Sequence, residues 1–300
     1  MTRIHNHCLI LAGMIVAFGT TPACAQGVID EVPAEIPAGD VTLGVTYYRP
    51  ADVDGDLPLI VTGHGSAPST RDDVFFYTAN ALNLGFAVVS FDKRGTGEST
   101  GEYVRFSVAG SLAQFDDLAN DMVHTVEWAA EQPGVDGSCV GLFGGSQAGW
   151  IMPLAASRQP LVDFIIVGEG AVATAGQEET HGQTIQLLRG SESSPDITAA
   201  DIAAADAALE AYDGPHGYDP IPLLAELDVP VLWIFGLQDA VIPVMPSLTR
   251  LQNLIAAGHD NHHVLVFPFG DHNFTNRATG DRYDLEGPIA NWLEDTGVCD

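Results

Sequence analysis

A serine, an aspartate and a histidine follow short apolar runs at three separate places in the sequence. Ser146 follows the run Val140–Gly144, and Asp239 and His272 each follow a later run. Such a set performs acyl transfer when the histidine takes the serine proton and the acid orients the histidine. We therefore predict Ser146 as the nucleophile, His272 as the general base and Asp239 as the acid.

The segment Val140–Gly149 predicts a strand that runs into a helix through a turn of small residues. A turn of this kind can hold a serine side chain clear of the chain, as a nucleophile elbow does. Ala148 stands where the usual Gly-x-Ser-x-Gly pattern has its last glycine. Taken alone, the segment also fits a glycine-rich turn whose serine only caps the helix. The presence of Asp239 and His272, in the triad order and each after a strand, favours the elbow.

Backbone donors for a negatively charged intermediate are expected near two of these segments. His64–Ala67 follows an early predicted strand. The N–H of Ser66, together with the N–H of Gln147, is predicted to form the oxyanion hole. His64 itself is expected to hold its loop by hydrogen bonds rather than to move protons.

Other polar residues compete for these roles. Glu169 follows another predicted strand and is the alternative acid. Asp271 is expected to cap a turn, and Trp150 to belong to the sheet–helix core. The run His259–His263 has the composition of a metal cluster, but it lies between a helix and a strand, so we expect a solvated connection. No metal or organic cofactor is required by the predicted chemistry.

Short apolar runs alternate with helical patterns along the chain. The runs are rich in Val, Ile and Phe, as in strands that are buried on both faces of a parallel sheet. This alternation predicts an α/β fold with a doubly wound, mostly parallel sheet. The predicted strands are Val41–Tyr48, Leu59–Thr62, Ala87–Phe91, Val140–Gly144, Phe164–Val167, Val231–Phe235 and Val264–Phe267. The predicted helices are Val74–Leu84, Val108–Glu131, Gln147–Ser157, Met245–Ala257 and Gly287–Asp295.

One long segment interrupts the alternation and suggests a domain division. We predict a signal peptide at 1–25, the first part of the core at 26–170, a helical cap at 171–228 and the second part of the core at 229–300. Within the cap, Gly182–Arg189 and Ile197–Tyr212 are helical in pattern, the latter preceded by Ser-Pro-Asp as its cap. Such a cap would cover the carboxyl ends of the strands.

The N-terminus has the pattern of an export signal. Arg3 precedes the apolar run Cys8–Phe18, and a small-x-small sequence ends at Ala25. This predicts a periplasmic or secreted protein; lipid attachment at Cys24 is the alternative. After cleavage, Cys139 and Cys299 would remain at one edge of the sheet, either as a disulfide or as free thiols.

The charge balance limits the partners. Lys and Arg number 11 against 40 Asp and Glu, which gives a formal charge of −29. Phosphate backbones and anionic lipids should be repelled, so nucleic acid is not an expected partner. No segment after the signal is long and apolar enough to span a membrane. No pattern indicates an oligomeric state. Lys93 is the only lysine.

The turn Asp92–Ser99, Asp-Lys-Arg-Gly-Thr-Gly-Glu-Ser, resembles a turn of the α/β-hydrolase family, as does the elbow of Ser146. The likeness runs from about Val41 to the C-terminus and is greatest to bacterial carboxylesterase-like members. It implies a cap-bearing α/β-hydrolase fold, with Asp92 and Arg94 bracing a loop. It also implies the triad roles assigned above.

The resemblance favours an esterase acting on small or medium acyl esters. An aminopeptidase-like enzyme is the second interpretation, because Glu178 and Glu179 could hold a substrate ammonium group; the alternative for this pair is a solvated helix face. A thioesterase and a non-catalytic binding protein are further alternatives. Epoxide hydrolase and dehalogenase chemistry is disfavoured, because those enzymes use an aspartate where this chain has Ser146.

Overall fold

The structure is a computed structural model that describes residues 28–189 and 197–299. The predicted signal at 1–25 and its Cys24 lie outside the described residues. Within the described ranges, no helix combines the length and the apolar character needed to cross a bilayer.

The centre of the fold is an eight-stranded sheet with the order β1-β2-β4-β3-β5-β6-β7-β8. The pairs β1–β2 and β2–β4 are antiparallel, and all other pairs are parallel. The predicted α/β class with a mostly parallel sheet is confirmed. The strands are β1 Ile29–Ala38, β2 Val41–Pro50, β3 Leu57–Gly63, β4 Ala87–Phe91, β5 Val135–Gly145, β6 Phe164–Gly168, β7 Val231–Gly236 and β8 His262–Phe267.

Helices cover both faces of this sheet. One apolar cluster joins the sheet to α2, α3 and α7, and a second joins it to α1 and α8. The helices are α1 Phe75–Asn83, α2 Ser111–Ala130, α3 Ala148–Ala156, α4 Ala175–Arg189, α5 Ala199–Ala208, α6 Ile221–Leu224, α7 Val244–Ala256 and α8 Glu286–Thr296.

Neighbouring residues of one strand supply opposite faces of the core. Ile60 packs in the cluster beneath α1 and α8, whereas Val61 packs in the cluster beneath α2 and α3. Side chains alternate between the two faces of a strand, so a strand with helices on both sides must be apolar at every position. All five residues of Ala87–Phe91 are buried for this reason.

The edge strand β1 was not predicted. Ile29–Ala38 is largely exposed and contains Pro33 and Pro37, and it pairs with β2 alone. An edge strand tolerates proline, because it makes sheet hydrogen bonds on one side only. Its polar sequence therefore lacks the apolar run by which the buried strands are recognised.

Helices α4, α5 and α6 lie between β6 and β7. The predicted helix Gly182–Arg189 is the C-terminal half of α4, which begins at Ala175. The prediction of Ile197–Tyr212 was too long. Helix α5 starts after Thr198, whose hydroxyl accepts the N–H of Asp201 in a capping box. The proposed Ser-Pro-Asp cap lies outside the described residues.

A disulfide joins Cys139 in β5 to Cys299, which follows α8. Their sequence separation is 160 residues. The bond ties the last helix to the middle of the sheet. In the chain-entropy model, closing so long a loop stabilises the folded state by about 5 kcal/mol.

We expect reduction of this disulfide to lower the melting temperature by roughly 10 °C, because the unfolded chain regains its loop entropy. Calorimetry with and without dithiothreitol measures the shift. A Cys139→Ala, Cys299→Ala double variant is the control, and its melting temperature should not respond to reductant. Equal melting temperatures for oxidised and reduced wild-type protein would contradict a stabilising disulfide.

Candidate functional site

Ser146 occupies a sharp turn between β5 and α3. Its backbone has φ 57°, in the left-handed region that residues with a side chain rarely adopt. Its N–H donates to the carbonyl of Gly168 at 3.0 Å, across to the neighbouring strand. A Cβ at Gly145 would lie 1.8 Å from Oη of Tyr77, so only glycine fits there. This is the geometry expected of a nucleophile elbow.

Ala148, which replaces the usual glycine, is accommodated by a glycine on the adjacent strand. A Cβ added to Gly63 would lie 2.8 Å from Cβ of Ala148. The methyl group of Ala148 thus occupies space that a side chain at Gly63 would need. The alanine in this position therefore leaves the turn intact, because a glycine in β3 makes room for the first residue of α3.

The loop that follows β3 lies beside Ser146. An added Cβ at Gly65 would be 3.6 Å from Cβ of Ser146 and 3.9 Å from its Oγ. Ser66 and Gln147 line one cavity together with Ser146. Neither the N–H of Ser66 nor that of Gln147 donates to an acceptor within residues 28–189 and 197–299. Both are therefore available to a ligand oxygen.

Asp239 and His272 are paired. Nδ1 of His272 donates to Oδ2 of Asp239 at 2.7 Å. The other carboxylate oxygen, Oδ1, accepts the N–H groups of Val241 at 2.6 Å and Ile242 at 3.3 Å. With its Nδ1 occupied, the histidine has Nε2 as its free ring nitrogen. Asp239 is fully buried, whereas His272 is partly exposed, so the imidazole is the member of the pair that solvent can reach.

His272 and Ser146 are not joined by a hydrogen bond in the described part of the chain. Glu178 lies near both residues: it lines the cavity of Ser146, and its charge raises the pKa of His272. Catalytic hydrogen bonds are often long before substrate binds, so this arrangement is compatible with a serine–histidine pair.

Glu169, the alternative acid, lies behind Asp239. Its Oε2 accepts the N–H of Gly236 at 3.1 Å, and Oε1 is buried without a partner among the described residues. Burial and the neighbouring Asp239 carboxylate raise the pKa of Glu169 well above its usual value. Two adjacent buried carboxyl groups cannot both ionise at low cost. Glu169 is therefore the member that holds a proton, whereas Asp239 accepts from His272.

Within the described residues, one group has the composition and spacing of a metal site: Glu169, Asp239 and His272, whose ligand atoms lie within 4.8 Å of one another. The donor set is already committed internally, since Asp239 accepts from His272 and Glu169 from Gly236. We interpret the group as a hydrogen-bonded histidine–aspartate pair with a buried glutamic acid beside it.

The cavity above Ser146 is small, at about 40 Å³. Trp150 is a core residue as predicted, stacked on Phe115 at 5.1 Å, but it also lines this cavity. The full lining consists of Ser66, Phe106, Ser146, Gln147, Trp150, Ala171, Glu178 and Ile242. Phe106 and Ile242 were not identified from the sequence, because isolated apolar residues outside a strand or helix pattern carry no signal of their own.

Acidic side chains set the electrostatics of His272. Burial lowers the pKa of His272, but the charge and hydrogen bond of Asp239 raise it, and Glu178 and Asp271 add to this effect. The net result is a raised pKa. Burial raises the pKa of Glu178 to about 7. Glu178 therefore changes its charge near neutral pH, and this charge acts on His272.

The remaining sequence predictions have mixed outcomes. Asp271 caps its turn, since its Oδ1 accepts the N–H groups of Asn273 and Thr275, both at 2.9 Å. The prediction of a solvated connection at His259–His263 was wrong for His262. This side chain is buried in β8 and contacts the carbonyl of Leu224 at 3.0 Å.

His64 and the turn after β4 are held by internal bonds. Nε2 of His64 lies 2.5 Å from the carbonyl of Phe91. Burial and the charge of Lys93 lower the pKa of His64 to about 4, so it donates as a neutral ring. Arg94 makes two hydrogen bonds to Asp121, at 2.7 and 2.8 Å. These hydrogen bonds fix the loop after β3 to β4 and the turn after β4 to α2.

We expect the pKa of His272 to lie above 6.5 and to fall in a Glu178→Gln variant, because ionised Glu178 favours the imidazolium. NMR titration of protein with ¹⁵N-labelled histidine measures both values, with His272→Asn assigning the resonance. Glu210→Gln, which removes one exposed negative charge, is the matched control. An unchanged pKa in Glu178→Gln would refute the coupling.

Comparison with known proteins places this site in a family. Residues 39–214 match the model of the X-Pro dipeptidyl-peptidase (S15 family). The chain is 28% identical over 255 residues to a probable dipeptidyl-aminopeptidase B of Botryotinia fuckeliana, which covers 82% of this chain and 25% of that protein. It is 31% identical over 133 residues to dipeptidyl aminopeptidase BIII of Pseudoxanthomonas mexicana, which covers 41% of this chain and 19% of that protein.

The chain thus spans about a quarter or less of the length of these curated relatives. Among solved structures, an esterase of Pyrococcus furiosus aligns with a TM-score of 0.65 and 15% identity, covering 97% of this chain and 99% of that one. An acylaminoacyl peptidase of Pyrococcus horikoshii aligns with a TM-score of 0.63 and 18% identity, covering 90% and 42%. These likenesses show the fold. Because the family model matches more than half of the chain, the protein belongs to the S15 family and is an α/β-hydrolase-fold serine hydrolase.

Proposed function

We propose that this protein is an exported carboxylesterase that cleaves small or medium acyl esters, with Ser146, His272 and Asp239 as its catalytic triad. The observation that carries the proposal is the combination, at one sheet edge, of a serine in a left-handed backbone conformation and a hydrogen-bonded aspartate–histidine pair. Ser146 has φ 57°, and His272 donates to Asp239 at 2.7 Å. Each feature alone has structural explanations; together they match the requirements of acyl transfer.

In the first step, Oγ of Ser146 attacks the ester carbonyl carbon and its proton passes to Nε2 of His272. The carbonyl oxygen becomes negatively charged and accepts the N–H groups of Ser66 and Gln147. Loss of one such donor typically costs about 3–4 kcal/mol of transition-state stabilisation. The imidazolium then gives its proton to the departing alkoxide, leaving an acyl group on Ser146 and a free alcohol.

In the second step, water attacks the acyl carbon as His272 removes its proton. Collapse of the second intermediate breaks the bond to Oγ, and His272 returns a proton to Ser146 as the acid leaves. Asp239 is held by its backbone donors, accepts the Nδ1–H of His272 and stabilises the imidazolium in both steps. Because His272 must be neutral to start, activity falls as the pH drops through its raised pKa.

The cavity favours a short acyl group. Its volume is about 40 Å³, and its walls include the apolar side chains of Phe106, Trp150 and Ile242.

The disulfide supports the proposed export. Cys139 and Cys299 are bonded in the structure. Such bonds persist in oxidising compartments such as the periplasm and are rare in reducing ones. The strongly negative formal charge of −29 is compatible with a protein exposed to the medium. Periplasmic or secreted location is thus part of the proposal.

We expect a fluorophosphonate probe to label wild-type protein and to leave Ser146→Ala unlabelled, because the probe forms a bond with an activated serine. Hydrolysis of p-nitrophenyl butyrate should fall at least about 10³-fold in the same variant. Ser157→Ala, an exposed serine at the end of α3, is the control and should label normally. Equal labelling of Ser146→Ala would remove the proposed nucleophile.

An aminopeptidase-like activity is the second candidate, and Glu178 favours it. Glu178 lines both the cavity of Ser146 and a larger neighbouring cavity of about 440 Å³, to which Glu179 also contributes. A carboxylate this close to the nucleophile could bind the ammonium group of a peptide substrate. The curated relatives named dipeptidyl aminopeptidases point the same way.

We expect p-nitrophenyl acetate and butyrate to be cleaved with higher kcat/KM than alanyl-prolyl p-nitroanilide, because the cavity suits a small apolar acyl group. The comparison includes the N-acetylated anilide, which lacks the ammonium group. Faster cleavage of the free-amine anilide would favour the second candidate. In that case Glu178→Gln should raise KM for the free amine about 10-fold or more relative to the acetylated form, as expected from loss of a charged hydrogen bond.

A further inference from the structure

Lys93, the only lysine of the chain, is buried and donates to Gln147, a residue that lines the cavity of Ser146. Its Nζ donates to the carbonyl oxygen of Gly65, to that of Ala67 at 3.1 Å and to Oε1 of Gln147 at 3.1 Å. An ammonium group has three protons to donate. All three are used, and each bond goes to an uncharged oxygen.

The position of this charge is costly. Burial lowers the pKa of Lys93 to about 8. No carboxylate pairs with it among the described residues. A buried charge without an opposite charge opposes folding unless its hydrogen bonds are complete. A lysine at this position therefore calls for an explanation beyond packing.

The three acceptors belong to the two segments that flank Ser146. Gly65 and Ala67 lie on either side of Ser66, and Gln147 directly follows the serine. Ser66 and Gln147, whose N–H groups bind the oxyanion in the proposed reaction, both line the cavity of Ser146. One ammonium group thus joins the loop after β3 to the turn after β5, although they are distant in sequence.

Lys93 also fixes the side-chain amide of Gln147. Because a lysine can only donate, the atom that faces it must be the amide oxygen. The amide nitrogen of Gln147 then points away from Lys93; it is buried and has no acceptor within the described ranges. The orientation of this side chain follows from the ammonium group.

We propose that Lys93 is a positioning residue of the acyl-transfer reaction, which holds the loop of Ser66 and the turn of Gln147 at the separation that an oxyanion requires. The inference rests on the proposed function. Donors that are fixed in advance need no rearrangement when charge develops on the carbonyl oxygen.

The test compares Lys93→Met with wild-type protein on p-nitrophenyl butyrate. We expect kcat to fall at least about 10-fold while KM changes less than about 3-fold, because the effect is on the transition state rather than on ground-state binding. Affinity for a trifluoromethyl ketone, which forms a tetrahedral oxyanion on the serine, should fall in parallel. Lys93→Gln retains two donors and should be intermediate; it carries the same test if Lys93→Met does not fold.

Arg94→Met is the matched control. It removes a cation from the same turn and breaks the pair with Asp121, but it has no contact with the loop or with Gln147. It should lower the melting temperature and keep kcat within about 2-fold. The proposal is overturned if folded Lys93→Met keeps kcat within about 10-fold of wild type, if Lys93→Gln retains wild-type kcat, if KM alone changes, or if Arg94→Met loses kcat equally. Loss of activity in Lys93→Met with full activity in Ser146→Ala would instead overturn the proposed function.

Discussion

The strained turn at Ser146 is the constraint on which the site depends. A left-handed conformation in a residue with a side chain costs about 1–2 kcal/mol. Two contacts hold the turn in this conformation. Gly145 packs against Tyr77, and the N–H of Ser146 donates to the carbonyl of Gly168. The glycines at Gly63 and Gly65 allow the adjacent strand and loop to approach, so a single backbone conformation determines the packing of three chain segments.

The arrangement of protons follows from this close packing. Glu169, Asp239 and Glu178 bring three carboxyl groups near one imidazole, and each has a different environment. Asp239 accepts two backbone N–H groups and the histidine. Glu169 has one such donor and is buried, so it keeps a proton. Glu178 titrates near neutrality. The site thus combines an aspartate that accepts three hydrogen bonds with a glutamic acid that changes its charge near neutral pH.

Much of this arrangement could be predicted from the sequence, for identifiable reasons. The interior strands bury both faces, so Ala87–Phe91 was predicted at its observed bounds. Residues that follow parallel strands meet at one sheet edge, which brought Asp239 and His272 together. The role of Lys93 could not be predicted, because its acceptors are mostly backbone carbonyls whose positions the sequence does not specify. The start of α5 at Thr198 depends on one local hydrogen-bond pair rather than on periodicity.

The overall charge restricts which substrates can approach this site. A protein with a formal charge of −29 lowers the local concentration of anionic substrates and raises that of cations. Glu178 repeats this bias inside the cavity once it ionises. Above about neutral pH, a substrate with a negative charge near its scissile bond would meet repulsion both on approach and after entry. Neutral esters escape both effects, and cationic ones benefit from both. The charge distribution therefore disfavours coenzyme A thioesters on physical grounds that are independent of the triad.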